Sequence, residues 1–183
     1  KEYGGLRSFI RVLEGHGYKS YINNGEGRRR YAIWSGDEKN DVKEEIKAVF
    51  NQSLNSDGNR LKVMLGSPSS KEGISFYNVQ QVHILEPYWN YSRMKQIIGR
   101  AVRYCSHKIM PEDKRSVGVY IYLAVHPQEK ETIDQYIMNL ALRKNKLIDE
   151  FEVALKETAV DCTLFKNANV YKKEGEEDIV CDA

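Results

Sequence analysis

The sequence predicts an α/β fold: a parallel sheet flanked by helices, with a long helical extension toward the carboxyl end. Three observations lead there. Short strand-like runs alternate with amphipathic helical patterns. The connections between them are short. Several strands are continuous apolar runs, as expected when a sheet is covered on both faces.

In order along the chain, Leu6, Phe9, Ile10 and Leu13 have helical spacing, and Gly15 and Gly17 end that helix. Asn23 to Gly27 is a loop by composition. Tyr31–Trp34 reads as a short strand. Asp41 is placed to cap a helix that carries Val42, Ile46, Val49 and Phe50 on one face. Leu61–Leu65 is a strand, Gly66 to Ser75 a loop rich in Gly, Ser and Pro, and Val79–Leu85 another strand closed by Pro87. Arg93–Tyr104 is helical, with Met94, Ile97, Ile98, Ala101 and Val102 as its buried stripe. Val117–Ala124 is a strong strand. From Gln128 to about Phe165 the pattern is one long helix or two, with Ile133, Ile137, Leu140, Leu147, Ile148 and Phe151 inward. The chain opens on a helix with no strand before it, so a first strand is expected to be missing.

The 183 residues suffice for one domain of ordinary size, 41% hydrophobic and 30% charged, which excludes disordered and collagen-like classes. The longest apolar run, Val117 to Val125, is too short to span a bilayer. No leader-like segment opens the chain. Cys105, Cys162 and Cys181 are odd in number and far apart, which predicts no disulfide framework and an intracellular protein. The net charge of +2 divides unevenly: residues 1–125 hold 20 Lys/Arg against 13 Asp/Glu, and residues 126–183 hold 8 against 13. A basic body with an acidic tail fits a polyanionic partner or an ordinary solvated surface.

The densest chemical signal lies between Ser67 and Arg103. Ser67-Pro68-Ser69-Ser70-Lys71-Glu72-Gly73-Ile74-Ser75 follows one strand and precedes the next. It is therefore a loop at the carboxyl end of a parallel strand, where open α/β sheets bind ligands. Hydroxyls and free backbone N–H groups suit phosphate oxygens. After the next strand comes Gln96-Ile97-Ile98-Gly99-Arg100-Ala101-Val102-Arg103. Arg100 and Arg103 fall three apart on one helical face, Gln96 one turn before Arg100, and Gly99 permits close approach of another element. Two guanidiniums aimed together suit a phosphoryl group gaining charge in its transition state.

A QxxGRxxR segment preceded by a strand and a Ser-rich EGIS loop resembles the second RecA-like domain of superfamily 2 helicases and translocases. Ser67–Ser75 is similar to motif V and Gln96–Arg103 to motif VI. Val82–Asn90 is similar to the strand and "WN" turn of the Swi2/Snf2-like branch. The resemblance is closer to helicases of large nucleocytoplasmic DNA viruses: the poxvirus early transcription factor small subunit and nucleoside triphosphatase I, with asfarvirus and mimivirus relatives. Gln96–His107, Val117–Ala124 and the later Ala159–Cys162 and Phe165–Asn167 carry it. It covers roughly residues 1 to 170. It implies a RecA-like domain over 1–126 and a helical extension over 127–171 packed on it, while the acidic composition of 172–183 predicts a disordered tail.

The resemblance also implies roles. Arg100 and Arg103 are expected as arginine fingers to the γ-phosphate of ATP, with Gln96 coupling that site to nucleic acid and Gly99 close by. Gly73 is expected to permit the motif V turn. Ser75 is expected near the ribose or the catalytic water, where many relatives carry Asp or Asn. Ser67, Ser69 and Ser70 are expected on the phosphate backbone of DNA or RNA. ATP and Mg²⁺ are expected to be held mainly by an N-terminal RecA-like domain of the same protein, with viral transcription proteins as further partners. A cytoplasmic virus factory or a virion is the expected location. The rival reading is a non-catalytic helicase-like module that scaffolds a transcription complex.

No GxxxxGK[ST] occurs, so no P-loop is present in these residues, and the chain by itself is expected to be inactive. Gly36-Asp37-Glu38-Lys39-Asn40 imitates a DExx box, but Ser35 and Gly36 separate it from the strand, and it reads as a turn. Arg28-Arg29-Arg30 is a basic loop, either solvated or touching nucleic acid. Cys105-Ser106-His107 has no second pair at zinc spacing, so no metal site is assigned. Tyr88, Trp89 and Tyr91 fit base stacking or corner packing.

Overall fold

The computed structural model describes residues 5–67, 74–160 and 164. The elements run α1 (Leu6–Gly15), β1 (Lys19–Ser20), α2 (Tyr21–Asn24), β2 (Arg30–Trp34), α3 (Asn40–Phe50), β3 (Val63–Gly66), β4 (Gln81–Ile84), α4 (Tyr91–Ala101), β5 (Gly118–Ile121) and α5 (Ile133–Glu157). Short 3₁₀ turns lie at Ser53–Asn55 and Glu112–Lys114. The chain divides into two compact units: residues through His83 with Ile97–Tyr120, and Ile84–Gln96 with the residues from Ile121 onward.

The first unit is organised by a parallel sheet of order β1-β2-β3, the register pairing Lys19 with Arg30 and Tyr31 with Val63. β2 is central, and its Tyr31, Ala32 and Trp34 are buried, as a strand covered on both faces requires. The core joins Tyr21, Ala32, Trp34, Ile46, Val49 and Leu61, with Phe50, Met64, Ile74 and Phe76 packed against it. The loop between α3 and β3 is organised by the buried Asn55. Its side chain accepts from the backbone N–H of Arg60 and Leu61 and donates to the carbonyls of Phe50 and Leu61, each at 3.0 Å. Gly36 and Asp37 form a turn, as their composition predicts.

β4 pairs with β5 in a separate two-stranded sheet among the described residues. Gly118 N–H donates to Gln80 and Tyr122 N–H to Ile84, both at 2.9 Å. Four residues advance in both strands between these bonds, the pattern of a parallel pair. In the second unit, α5 opens with a capping box. Thr132 Oγ1 accepts from Gln135 N–H, and the Gln135 side chain accepts from Thr132 N–H at 2.9 Å. Lys95 pairs with Asp149 at 3.5 Å. Among the described residues no helix is long and apolar enough to cross a membrane.

One element was not foreseen, and three local expectations are corrected. β1 was not legible: it has two residues, neither apolar, and exists through its pairing with β2. Asp41 is not the cap of α3. The helix starts at Asn40 after Lys39, and Asp41 falls in the first turn, where the helix dipole still favours a carboxylate. On α4, Met94 and Ala101 are buried but Ile97 is exposed, and Val102, just past the helix end, is exposed too. On α5, only Ala141 is fully buried. Ile133, Leu147 and Phe151, expected inward, are 77%, 66% and 64% exposed, and Ile148 is exposed too.

Candidate functional site

The two singled-out segments of the first unit meet beside the end of α3, where Asn51 bonds Ser75 and Tyr77 and Arg103 bonds Ser75. Ser67 follows β3 directly, and its N–H donates to the Trp34 carbonyl at 3.1 Å, continuing the ladder one residue past β3. Ile74 and Phe76 pack on the core. Phe76 sets its ring edge-on against Trp34, at 5.8 Å, and against Phe50, at 5.4 Å. These contacts put the 74–77 segment over the core, with Ser75 beside the end of α3.

Asn51, just past α3, clamps this segment. Its Nδ2 donates to the Ser75 carbonyl and its Oδ1 accepts from Tyr77 N–H, both at 2.9 Å. The same segment is bound to the turn after α4. Phe76 N–H donates to the Arg100 carbonyl at 3.0 Å, and Arg103 Nη1 donates to Ser75 Oγ at 2.7 Å. Arg103 Nε also donates to the Gly99 carbonyl at 3.3 Å. Ser75, Arg100 and Arg103 are therefore contiguous.

Arg103 is not on the helix. α4 stops at Ala101, and Arg103 lies in the following turn, fixed by its neighbours rather than by helical spacing. Its N–H donates to Ser106 Oγ at 3.3 Å. His107 is buried and locks that turn. Its Nε2 is 2.7 Å from the Val79 carbonyl, and its Nδ1 is 2.8 Å from Ser106 Oγ. The Nε2–H tautomer satisfies both contacts, donating to the carbonyl and accepting from the hydroxyl. Asn78 N–H adds a bond to the Ser106 carbonyl at 3.0 Å. Ser106 and His107, taken from sequence only as a fragment of a metal motif, act here as a brace. Among the described residues no three His, Cys, Asp or Glu side chains gather as a metal site requires.

Gln96 is exposed on α4, one helical turn before Arg100. Gly99 is not approached by another element: among the described residues, a Cβ built there meets nothing within 4 Å. Ser69, Ser70 and Gly73 lie outside the described residues. Asn51, Ser106 and His107 are the site residues that sequence reasoning missed. Asn51 and His107 each bond a residue 24 to 28 positions away, and no local pattern announces such pairings.

A parallel sheet flanked by helices, with the Ser75 segment tied to a GRxxR turn, is consistent with the second RecA-like domain of a helicase. The chain belongs to the helicase conserved C-terminal domain family, whose model matches residues 9–105. It is 60% identical over 182 residues to a protein of Acanthamoeba polyphaga mimivirus provisionally named an ATP-dependent RNA helicase, matching the whole of this chain and 31% of that relative. It is 41% identical over 135 residues to a killer plasmid helicase of Kluyveromyces lactis, across 74% of this chain and 22% of the relative. A termination factor NPH-I homolog of African swine fever virus is 31% identical over 144 residues, across 73% of this chain and 20% of the relative. The chain thus spans less than a third of the length of these relatives.

Proposed function

We propose that this chain is one wall of an ATP-driven motor that moves along a nucleic-acid strand, working in viral transcription or replication. The other wall is a first RecA-like domain of the same protein, which holds Mg²⁺ and most of the nucleotide. ATP binding draws the two walls together and hydrolysis releases them. Arg100 and Arg103 place positive charge against the γ-phosphate as charge develops there. Ser75 holds the Arg103 guanidinium, and Gln96 links the nucleotide to the strand. Ser67, Ser69, Ser70 and the Gly73 turn serve the phosphate backbone. Contacts to phosphates rather than bases make the motor indifferent to sequence.

The observation that carries this reading is the double tie between the two segments, Phe76 N–H to Arg100 and Arg103 to Ser75. It supports a strand-contacting loop and a phosphate-contacting turn that move as one piece. The relatives' printed names, an ATP-dependent RNA helicase and a termination factor among them, support the nucleotide and the transcriptional setting. The test is Arg100→Ala in the complete protein. ATP turnover is expected to fall by about 10³- to 10⁵-fold with the fold retained. Turnover within tenfold of the parent would falsify the assignment. The present chain alone is expected to turn over no ATP.

A further inference from the structure

At the amino-terminal edge of the β1–β2–β3 sheet lies a group of cations that plays no part in that reading. There His16, Tyr18, Arg28, Arg29, Arg30 and Lys62 line a recess of about 920 Å³. The register explains why they meet. Arg29 and Arg30 enter β2 beside the start of β1, since Lys19 N–H donates to the Arg29 carbonyl at 2.9 Å. Lys62 enters β3 beside Arg30, with its N–H on the Arg30 carbonyl at 3.0 Å.

Among the described residues none of Arg28, Arg29, Arg30 and Lys62 has a carboxylate at ion-pair distance. Two nearby carboxylates are engaged elsewhere: Glu14 accepts from the Tyr31 hydroxyl at 2.8 Å, and Glu26 pairs with Arg60 at 3.1 Å. Two of the guanidiniums are held in place by carbonyls. Arg29 donates to His16 at the carboxyl end of α1 at 3.3 Å, and Arg30 donates to Gly25 at 2.8 Å. Such anchoring lowers the ordering cost of binding and leaves the charge uncompensated.

We infer that this recess binds the phosphate backbone of a nucleic-acid strand, at a site separate from the Ser75 segment. The backbone N–H groups of Lys19 and Lys62 are spent in the ladder, so the charged side chains carry the recognition. The cations come from the loop entering β2 (Arg28, Arg29, Arg30) and from the entry to β3 (Lys62), adjacent strands about 4.8 Å apart. Four cations distributed over a loop and two strand entries suit a chain of phosphates better than a single small anion.

The experiment is the salt dependence of binding of a fluorescein-labelled single-stranded 20-mer to this chain, read by anisotropy. Each lost phosphate contact lowers the slope of log K against log salt by about 0.7 for a single strand. The triple variant Arg28→Gln, Arg29→Gln, Lys62→Gln is expected to lose about 2 from the slope, with its circular dichroism unchanged. Arg28→Gln alone, which removes no intramolecular bond among the described residues, is expected to lose about 0.7. A control triple at Lys39, just before α3, and Lys43 and Lys47 on it removes the same charge and is expected to leave the slope in place. An unchanged slope in Arg28→Gln and in the triple variant overturns the inference, as does an equal loss in the control. A second arm replaces chloride with inorganic phosphate at matched ionic strength. Equal competition by the two salts supports a polymer site, and displacement at much lower phosphate concentration overturns it in favour of a free phosphate site. Arg100, Arg103 and Ser67 are intact in every variant and no ATP is present, so this result and the ATPase test fail independently.

Discussion

Asn51 makes the position of Ser75 a measurable quantity. Replacing it with alanine removes two hydrogen bonds of 2.9 Å, to the Ser75 carbonyl and from Tyr77 N–H. A net hydrogen bond is worth about 0.5–1.5 kcal/mol, so the loss lies between about 1 and 3 kcal/mol. Tyr77 is exposed and Ser75 half-buried, so water replaces part of what is lost, and the lower half of that range, about 1–2 kcal/mol, is expected. For a chain of this size each kcal/mol shifts Tm by about 2–4 °C, giving a fall of about 2–8 °C. Thermal unfolding followed by circular dichroism reads it directly. Asn139→Ala is the control. Its side chain makes one exposed bond, to Glu131 at 2.8 Å, and its loss is expected to stay within about 0.5 kcal/mol. A fall below 1 °C for Asn51→Ala, or an equal fall for Asn139→Ala, refutes the clamp.

Two further outcomes follow from the packing. The Tyr21 and Tyr31 hydroxyls are pushed up from 10.0 to about 12, chiefly by burial and then by donation to the carboxylates of Glu45 and Glu14. Because the folded values lie above the unfolded ones, the stability these phenols contribute is intact below pH 10 and is lost between pH 10 and 12. Tyrosinate absorbance during alkaline titration checks this: Tyr21→Phe and Tyr31→Phe are each expected to remove late-titrating signal and to flatten that loss. In the second unit, Thr132→Ala breaks the capping box of α5 at a cost of about 1 kcal/mol. Amide hydrogen exchange in the first turn of α5 is expected to quicken about five-fold, and unchanged rates would contradict the cap.

Periodicity made most of the fold legible. α1, β2, α3, β3, β4, α4, β5 and α5 each lie within a few residues of a segment whose apolar spacing announces it. Spacing identifies a face, however, and cannot say whether anything covers it. Leu147 and Phe151 keep helical register on α5 and remain in solvent. The end of α4 was misplaced for a related reason. Val102 continues the helical pattern, but Ser106 and His107 bind the turn that follows and end the helix at Ala101. For the site, motif order gave Ser75, Arg100 and Arg103 their places. The contacts that hold them are long-range pairings without sequence periodicity, so Asn51 and His107 carried no signal.

The two tryptophans turn the molecule into a spectroscopic pair. Trp34, only 5% exposed, touches Phe76 in the first unit; Trp89, 51% exposed, lies under the Lys144 ammonium at 4.8 Å in the second. A soluble quencher such as iodide therefore reads the second unit and spares the first. With Trp89 replaced by Phe, the remaining indole becomes an intrinsic fluorescence sensor of the Ser75 segment, since Phe76 cannot leave the core without changing the surroundings of Trp34.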